Sequence, residues 1–211
     1  MFLSNEQIEE NKNRFLKLIS EIDIEGADTQ GLVDFLLKSD FFTAPASTQH
    51  YCSFPGGNCY HSLHVYDNLN EYVNKYCPER YDKNSIIICG LLHDISKADF
   101  YEIYTQNKKI YSEKGTKSDN HGRFDWFAED AYKVKDAKER FIAGTRGFNS
   151  VAIIGRYIPL SLEETIAIQY HMLNADDKAV IYDMPAILNK YPLLTLLHMA
   201  DFISTFIPER N

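Results

Sequence analysis

The feature that most constrains the fold is a nearly continuous apolar run over residues 85–95, which is interrupted only near its end by the pair His93-Asp94. A helix that is apolar on every side belongs at the centre of a core, whereas a surface helix keeps a polar face. The run therefore predicts a central buried helix. At its end lie an imidazole and a carboxylate, which are costly to bury unless something compensates them.

Apolar residues recur at helical spacing on both sides of this run. Ser4 and Ser161 each precede a Gln or Glu by three residues, which is the spacing of a capping box at a helix start. Besides the central run, the expected helices cover residues 5–22, 29–38, 61–76, 151–158, 161–171 and 192–207. The pattern therefore indicates a mostly α protein.

One stretch of the chain breaks the helical pattern. Over residues 100–134, aromatic and β-branched residues alternate with polar ones around the polar triplet at residues 106–108. We interpret this stretch as a small β insertion, with a hairpin that turns at the triplet and a third strand near residues 125–134.

Composition excludes several classes of protein. No apolar run is long enough for a membrane span, and a net charge of −8 disfavours a protein that coats DNA or RNA. The first residues lack the pattern of a secretory signal, and the four cysteines lack the paired spacing of a zinc ribbon. We expect a cytoplasmic protein without a membrane partner, for which a small anionic substrate remains possible.

Four residues form a candidate metal site. His61 falls within the apolar stripe of its helix, whereas His64 lies at the edge of that stripe. Asp201 is the only acid in residues 192–207, and a lone buried carboxylate must be paired, protonated or bound to a metal. The alternative for Asp201 is a solvent-exposed position. With His93 and Asp94, these residues would hold a divalent ion, which could be manganese, iron, cobalt, nickel, zinc or magnesium.

In their order along the chain, these four ligands resemble those of the HD-domain superfamily of metal-dependent phosphohydrolases. The resemblance covers residues 50–207 and rests on the motifs GNCYHSL at 57–63, LLHDISK at 91–97 and MAD at 199–201. It implies one HD-type helical domain over residues 1–211, with N-terminal helices at 1–40, an HD core at 50–207 and the β insertion at 100–134. In such domains the residue equivalent to Asp94 can bridge two metals.

The sequence departs from the family pattern at two places. Ser96 stands where the family usually has a glycine, and Arg146 stands where relatives with two metals tend to have a histidine. A guanidinium stays protonated and cannot ligate a metal. We therefore expect one metal ion per chain.

The resemblance implies that the protein hydrolyses a phosphate ester of a nucleotide or another small metabolite with metal-activated water, with Asp94 and Lys97 as catalytic residues. Lys97 would contact the phosphate, or else be a solvated lysine at a helix end. Arg146 and His171 are further candidates for phosphate binding or proton delivery, and His171 could equally be a core histidine.

Two residues of the insertion, His121 and Arg123, could reach a substrate if the insertion covers the pocket. Two other functions remain open: an HD-fold module that senses a nucleotide or phosphate without turnover, and a nuclease acting on the 3′ end of RNA. The acidic charge disfavours the nuclease. The expected partner is a small phosphorylated substrate, and the sequence carries no signal for the oligomeric state.

Overall fold

The computed structural model describes residues 3–142, 144–173 and 178–207, with the side chains of 178–180 left out. The α-helices are α1 (Asn5–Ile19), α2 (Thr29–Lys38), α3 (Gly57–Tyr76), α4 (Lys83–Leu92), α5 (Arg146–Ile154), α6 (Leu162–Tyr170), α7 (Lys178–Lys190) and α8 (Pro192–Phe206). A 3-10 turn, Ile95–Lys97, follows α4. The mostly α class expected from the sequence is confirmed.

Helix starts follow the capping residues. The side chains of Ser4 and Ser161 each accept a hydrogen bond from the third helical N–H, and the Gln or Glu at that position bonds back, so both expected capping boxes are present. Asp28 and Asp82 cap α2 and α4 through their carboxylates. These caps satisfy N–H groups that a helix end leaves without partners.

The core forms around α3, which packs against both α4 and α8, while α6 packs against α5 and α8. Helix α4 is buried over nearly its whole length, as the apolar run predicts. Gly90 lets α4 approach α3 closely, because a Cβ at this position would lie 2.6 Å from the Cα of Tyr66. The close approach brings the end of α4 towards α3, the helix that carries His61.

The insertion is a long antiparallel ribbon of β1 (Tyr101–Tyr111), β2 (Lys117–Asp119) and β3 (Gly122–Val134), with β3 in the middle. The expected turn at residues 106–108 is wrong: these residues lie inside β1 and pair with β3. Asn107 and Lys108 are exposed, and Gln106 donates a hydrogen bond to Glu129 on the partner strand. Strand formation here depends on the cross-strand partner rather than on an apolar pattern.

Helix α7 was not predicted. It contains Pro185, which normally ends or kinks a helix because it lacks an N–H donor. Among the described residues, no helix combines the length and hydropathy that crossing a bilayer requires.

Candidate metal centre

Five ionisable residues from four parts of the chain meet in the core. They are His61 in α3, His93 and Asp94 at the end of α4, His171 at the end of α6 and Asp201 in α8. Each of these residues is at most 7% exposed. The four metal ligands predicted from the sequence thus lie in one buried cluster, and His171 joins them.

His93 and His171 are held in the same way. Each follows the last residue of a helix, and its Nδ1 lies 2.9 Å (His93) or 2.7 Å (His171) from the carbonyl oxygen three residues earlier. A carbonyl oxygen only accepts, so Nδ1 carries the hydrogen of the neutral ring and Nε2 keeps its lone pair. Within the described part of the chain, neither Nε2 has a hydrogen-bond partner, although both are buried. Two buried lone pairs without a hydrogen-bond partner favour the binding of a cation.

Carboxylate oxygens face these lone pairs. Asp94 Oδ2 lies 3.5 Å from His93 Nε2, and Asp94 Oδ1 lies 3.9 Å from His171 Nε2. Asp201 Oδ1 lies 3.9 Å from His93 Nε2 and 3.0 Å from His61 Nε2. Atoms bound to one ion at about 2.1 Å are separated by roughly 3–4.2 Å, so each of these spacings fits shared coordination. For His61, a metal would replace the hydrogen that Nε2 donates to Asp201, and the hydrogen of the neutral ring would then lie on Nδ1.

The ligand atoms form two triads that share His93. One contains His61, His93 and Asp201, and the other contains His93, Asp94 and His171. Asp94 therefore shares a triad with His171, whereas the prediction grouped it with His61, His93 and Asp201. The cluster nevertheless contains imidazole and carboxylate donors in the mixture that borderline divalent metals accept.

Burial controls the protonation of the cluster. It lowers the pKa of His93 to about 4, although Asp94 opposes the shift, so the ring is neutral at neutral pH. Burial alone would raise the pKa of Asp94, but Lys97 and His93 hold it well below its usual range. Burial would also raise the pKa of Asp201, but the hydrogen bond from His61 outweighs this effect and lowers the pKa. Both carboxylates are therefore ionised.

Lys97 is not a solvated lysine. Its side chain is fully buried, and Nζ lies 2.6 Å from Asp94 Oδ2. The ammonium also donates a hydrogen bond of 3.1 Å to the hydroxyl oxygen of Tyr51. The structure excludes the exposed alternative and assigns Lys97 a position beside Asp94.

Tyr51 was not singled out from the sequence. It lies in the loop before α3, and its ring packs 5.0 Å from the His61 ring, measured between centroids. The loop is held by a hydrogen bond of 2.6 Å from the Ser47 hydroxyl to the Tyr51 carbonyl. Only the sequence position of Tyr51, ten residues before His61 in a turn-rich loop, could have drawn attention to it.

Arg146 also lies near the cluster, at the first position of α5. Its guanidinium is half-buried, and the neighbouring Asp94 carboxylate raises its pKa, with a smaller contribution from Asp201. Arg146 is therefore a permanent cation on the side of the cluster that carries the carboxylates.

His121 and Arg123 do not join the cluster. Both are exposed near the far end of the ribbon, and the His121 side chain is 81% exposed. Tyr101 pairs with Val134 at the base, and Tyr111 pairs with Phe124 close to Arg123. Ten residue steps at about 3.3 Å place that end roughly 33 Å from the base. The expectation that these residues reach the pocket is not supported.

Shortening the ribbon tests this placement. Replacing residues 106–129 by a two-residue Asn-Gly turn should leave metal binding and any activity within about twofold of the unmodified chain, because the deleted strands are largely exposed. Tyr101 must be kept, since its hydroxyl donates a hydrogen bond to the Ala46 carbonyl. Loss of metal binding on shortening would place part of the ribbon in the site.

A matched pair of histidines on α3 tests the predicted choice of His61 over His64. His61 is 1% exposed and contacts Asp201, whereas the half-buried His64 lies against the Tyr60 ring. Loss of a residue that only supports a ligand weakens metal affinity by up to about a hundredfold. His61→Ala removes a ligand and should therefore weaken metal affinity by at least that factor, whereas His64→Ala should leave it unchanged. Equal affinities in the two variants, measured by competition with a chelating dye, would remove His61 from the site.

The sequence matches no protein-family model, and searches of curated proteins and of solved structures also gave no match.

Proposed function

We propose that this protein is a metal-dependent phosphohydrolase of the HD type, whose helical bundle holds one divalent ion among His61, His93, Asp94 and Asp201. The observation that supports the proposal is the pair of buried Nε2 atoms of His93 and His171, which face carboxylate oxygens with no proton between them. A structural histidine would use this second nitrogen in a hydrogen bond.

The donor atoms favour one ion over two. Nε2 of His93 has a single lone pair and binds one metal, yet both triads need it. Without His93, the second triad retains only Asp94 and His171, next to the cations Lys97 and Arg146, which repel a further divalent ion. The two imidazoles of His61 and His93 also suit manganese, iron, cobalt, nickel or zinc better than magnesium, which prefers oxygen ligands.

In this proposal the ion, when bound, lowers the pKa of water and withdraws charge from a phosphoryl oxygen. Lys97 fixes Asp94 through Oδ2, so that Oδ1 stays directed towards His171. Asp94 is a poor base because its pKa is low. Nε2 of His171 is the remaining acceptor beside it, and we assign to this atom the proton of the attacking water.

The substrate is a small phosphate ester, with a nucleotide as the first candidate. A net charge of −8 repels long polyanions but leaves room for a small anion met by local cations. All four cysteines are free thiols in the described structure, which suits the reducing cytoplasm, where we place the activity.

The direct test combines metal analysis with a substrate panel. Protein purified without chelators should contain about one equivalent of a transition metal. It should hydrolyse phosphomonoesters, nucleoside phosphates or phosphodiesters, and the activity should disappear with a chelator and return with the ion. Bound metal without turnover of any panel member would instead support the nucleotide-sensing alternative, and a chain that takes up no metal would contradict the proposed hydrolase.

A further inference from the structure

Two permanent cations and a tyrosine hydroxyl adjoin the carboxylate side of the metal cluster. Lys97 contacts Asp94 and Tyr51 directly, and Arg146 is the first residue of α5, which packs against the Ile95–Lys97 turn. The Asp94 carboxylate also raises the pKa of Arg146. Asp201 and Asp94 are also the most exposed residues of the cluster, at 7% and 3%, whereas His61 is 1% exposed and the other two histidines are fully buried. An incoming ligand therefore meets the cluster on this side.

Two contacts fix the helix that begins at Arg146. Gly147 allows α5 to lie against α6, because a Cβ at this position would lie 2.2 Å from the Gln169 carbonyl oxygen. The Ser150 hydroxyl donates a hydrogen bond to that of Ser96, which ties α5 to the turn that carries Lys97. Among the residues that the structure describes, no carboxylate forms an ion pair with Arg146. Its charge is thus available to a ligand.

Tyr51 adds a hydrogen-bond donor. Its hydroxyl oxygen accepts from the Lys97 ammonium, so the hydroxyl hydrogen is free to be donated elsewhere. Burial raises the pKa of this phenol, and the hydrogen is therefore present at neutral pH. An acceptor that enters beside Arg146 would satisfy both groups.

The charges of these side chains indicate what kind of anion fits. The two carboxylates, Asp94 and Asp201, cancel the two cations, Lys97 and Arg146, while His61 and His93 would be neutral as metal ligands. One divalent ion then leaves two uncompensated positive charges. A phosphomonoester carries close to two negative charges at neutral pH, whereas a phosphodiester carries one.

We propose that Arg146 and Tyr51, beside Lys97 and the ion, form a site for a terminal, dianionic phosphoryl group, so that the substrate is a phosphomonoester rather than a phosphodiester. This inference rests on the proposed function for its chemistry. Arg146 can bind two phosphoryl oxygens through its planar fork, and Tyr51 can donate to the third. A diester has only two unsubstituted oxygens to offer.

Binding of two phosphonates to the metal-loaded protein tests the proposal. The experiment is done at about pH 8, well above the second phosphate pKa near 6. At this pH phenylphosphonate is a dianion, whereas its monomethyl ester is a monoanion of similar shape. Calorimetry should show that the dianion binds at least about tenfold more tightly. Arg146→Gln should lower its affinity about ten- to a hundredfold with unchanged metal content, and should leave the two phosphonates nearly equal.

Arg123→Gln is the matched control, because it removes the same charge at the far end of the ribbon. It should change neither affinity. Equal binding of the two phosphonates by the unmodified chain, or a dianion preference that survives Arg146→Gln, would overturn the inference.

The same protein separates this inference from the proposed function. A dianion preference that depends on Arg146, without hydrolysis of any ester, would contradict the hydrolase and leave the binding site standing. Faster hydrolysis of bis-p-nitrophenyl phosphate than of p-nitrophenyl phosphate would uphold the hydrolase and overturn the monoester assignment.

Discussion

His93→Ala should abolish metal binding and hydrolysis together. Nε2 of His93 belongs to both triads, so its loss leaves two protein ligands in each. Bound metal should fall from about one equivalent to nearly none. If the ion supplies roughly 4 kcal/mol of transition-state stabilisation, kcat should fall by about three orders of magnitude. Metal analysis and steady-state kinetics measure both effects, and the circular dichroism signal should show that the helices persist.

His171→Ala is the matched control, because this histidine has the same burial and the same Nδ1 hydrogen bond to a carbonyl three residues earlier. It lies outside the triad of His61, His93 and Asp201. The variant should keep its ion but lose about a hundredfold or more in kcat, as expected for a general base. Loss of the ion from His171→Ala, or two ions in the unmodified chain, would contradict the one-ion assignment.

The contrast between these histidines shows what the sequence could predict. His93 follows a fully apolar helix and precedes an acid, so its burial and its need for compensation are evident from neighbouring residues. His171 follows a helix with polar residues at its start, and its sequence position is compatible with either a core or a site role. The tertiary packing of α6 against α4, at whose end Asp94 lies, brings its ring towards Asp94.

Local signals predicted the described helices other than α7, and they predicted the β insertion, but they did not predict how its strands pair. The capping boxes at Ser4 and Ser161 satisfy backbone groups within one turn, so short-range sequence determines them. The pairing of residues 106–108 with residues 127–129 is a contact between segments about twenty residues apart. Polar residues there predict a turn by composition, and only the partner strand makes an extended conformation favourable.

Lys97 shows the same limitation at the site. A lysine three residues after a buried acid, near the end of a helix, is usually solvated. Its burial depends on Tyr51, which belongs to the loop before α3 and covers the ammonium from 46 residues away in sequence. Nothing in residues 91–97 specifies that cover.

Lys97→Met should strongly destabilise the metal-free protein. The substitution keeps most of the side-chain volume but leaves Asp94 as a buried carboxylate without its ammonium partner. Removing one member of a buried ion pair costs about 3–5 kcal/mol, which is a large share of the stability of a typical domain. Urea unfolding after treatment with a chelator measures this loss.

The surface pair of Lys83 and Glu21 provides the control. Their charged atoms lie 2.7 Å apart, but the Lys83 side chain is 63% exposed. Lys83→Met should therefore change the free energy of unfolding by less than about 1 kcal/mol. If Lys97→Met is equally mild, the Asp94 carboxylate does not depend on the ammonium.

Metal binding and a double variant then identify the cause of the instability. In the proposed site the ion would bind the folded chain and supply positive charge to Asp94, so a saturating metal concentration should stabilise Lys97→Met by more than it stabilises the unmodified protein. Adding Asp94→Asn to Lys97→Met removes the unpaired charge and should recover part of the lost stability in the metal-free state. If the double variant is as unstable as the sum of the two single ones, the two residues are energetically independent, and Lys97 stabilises the core by packing rather than by its charge.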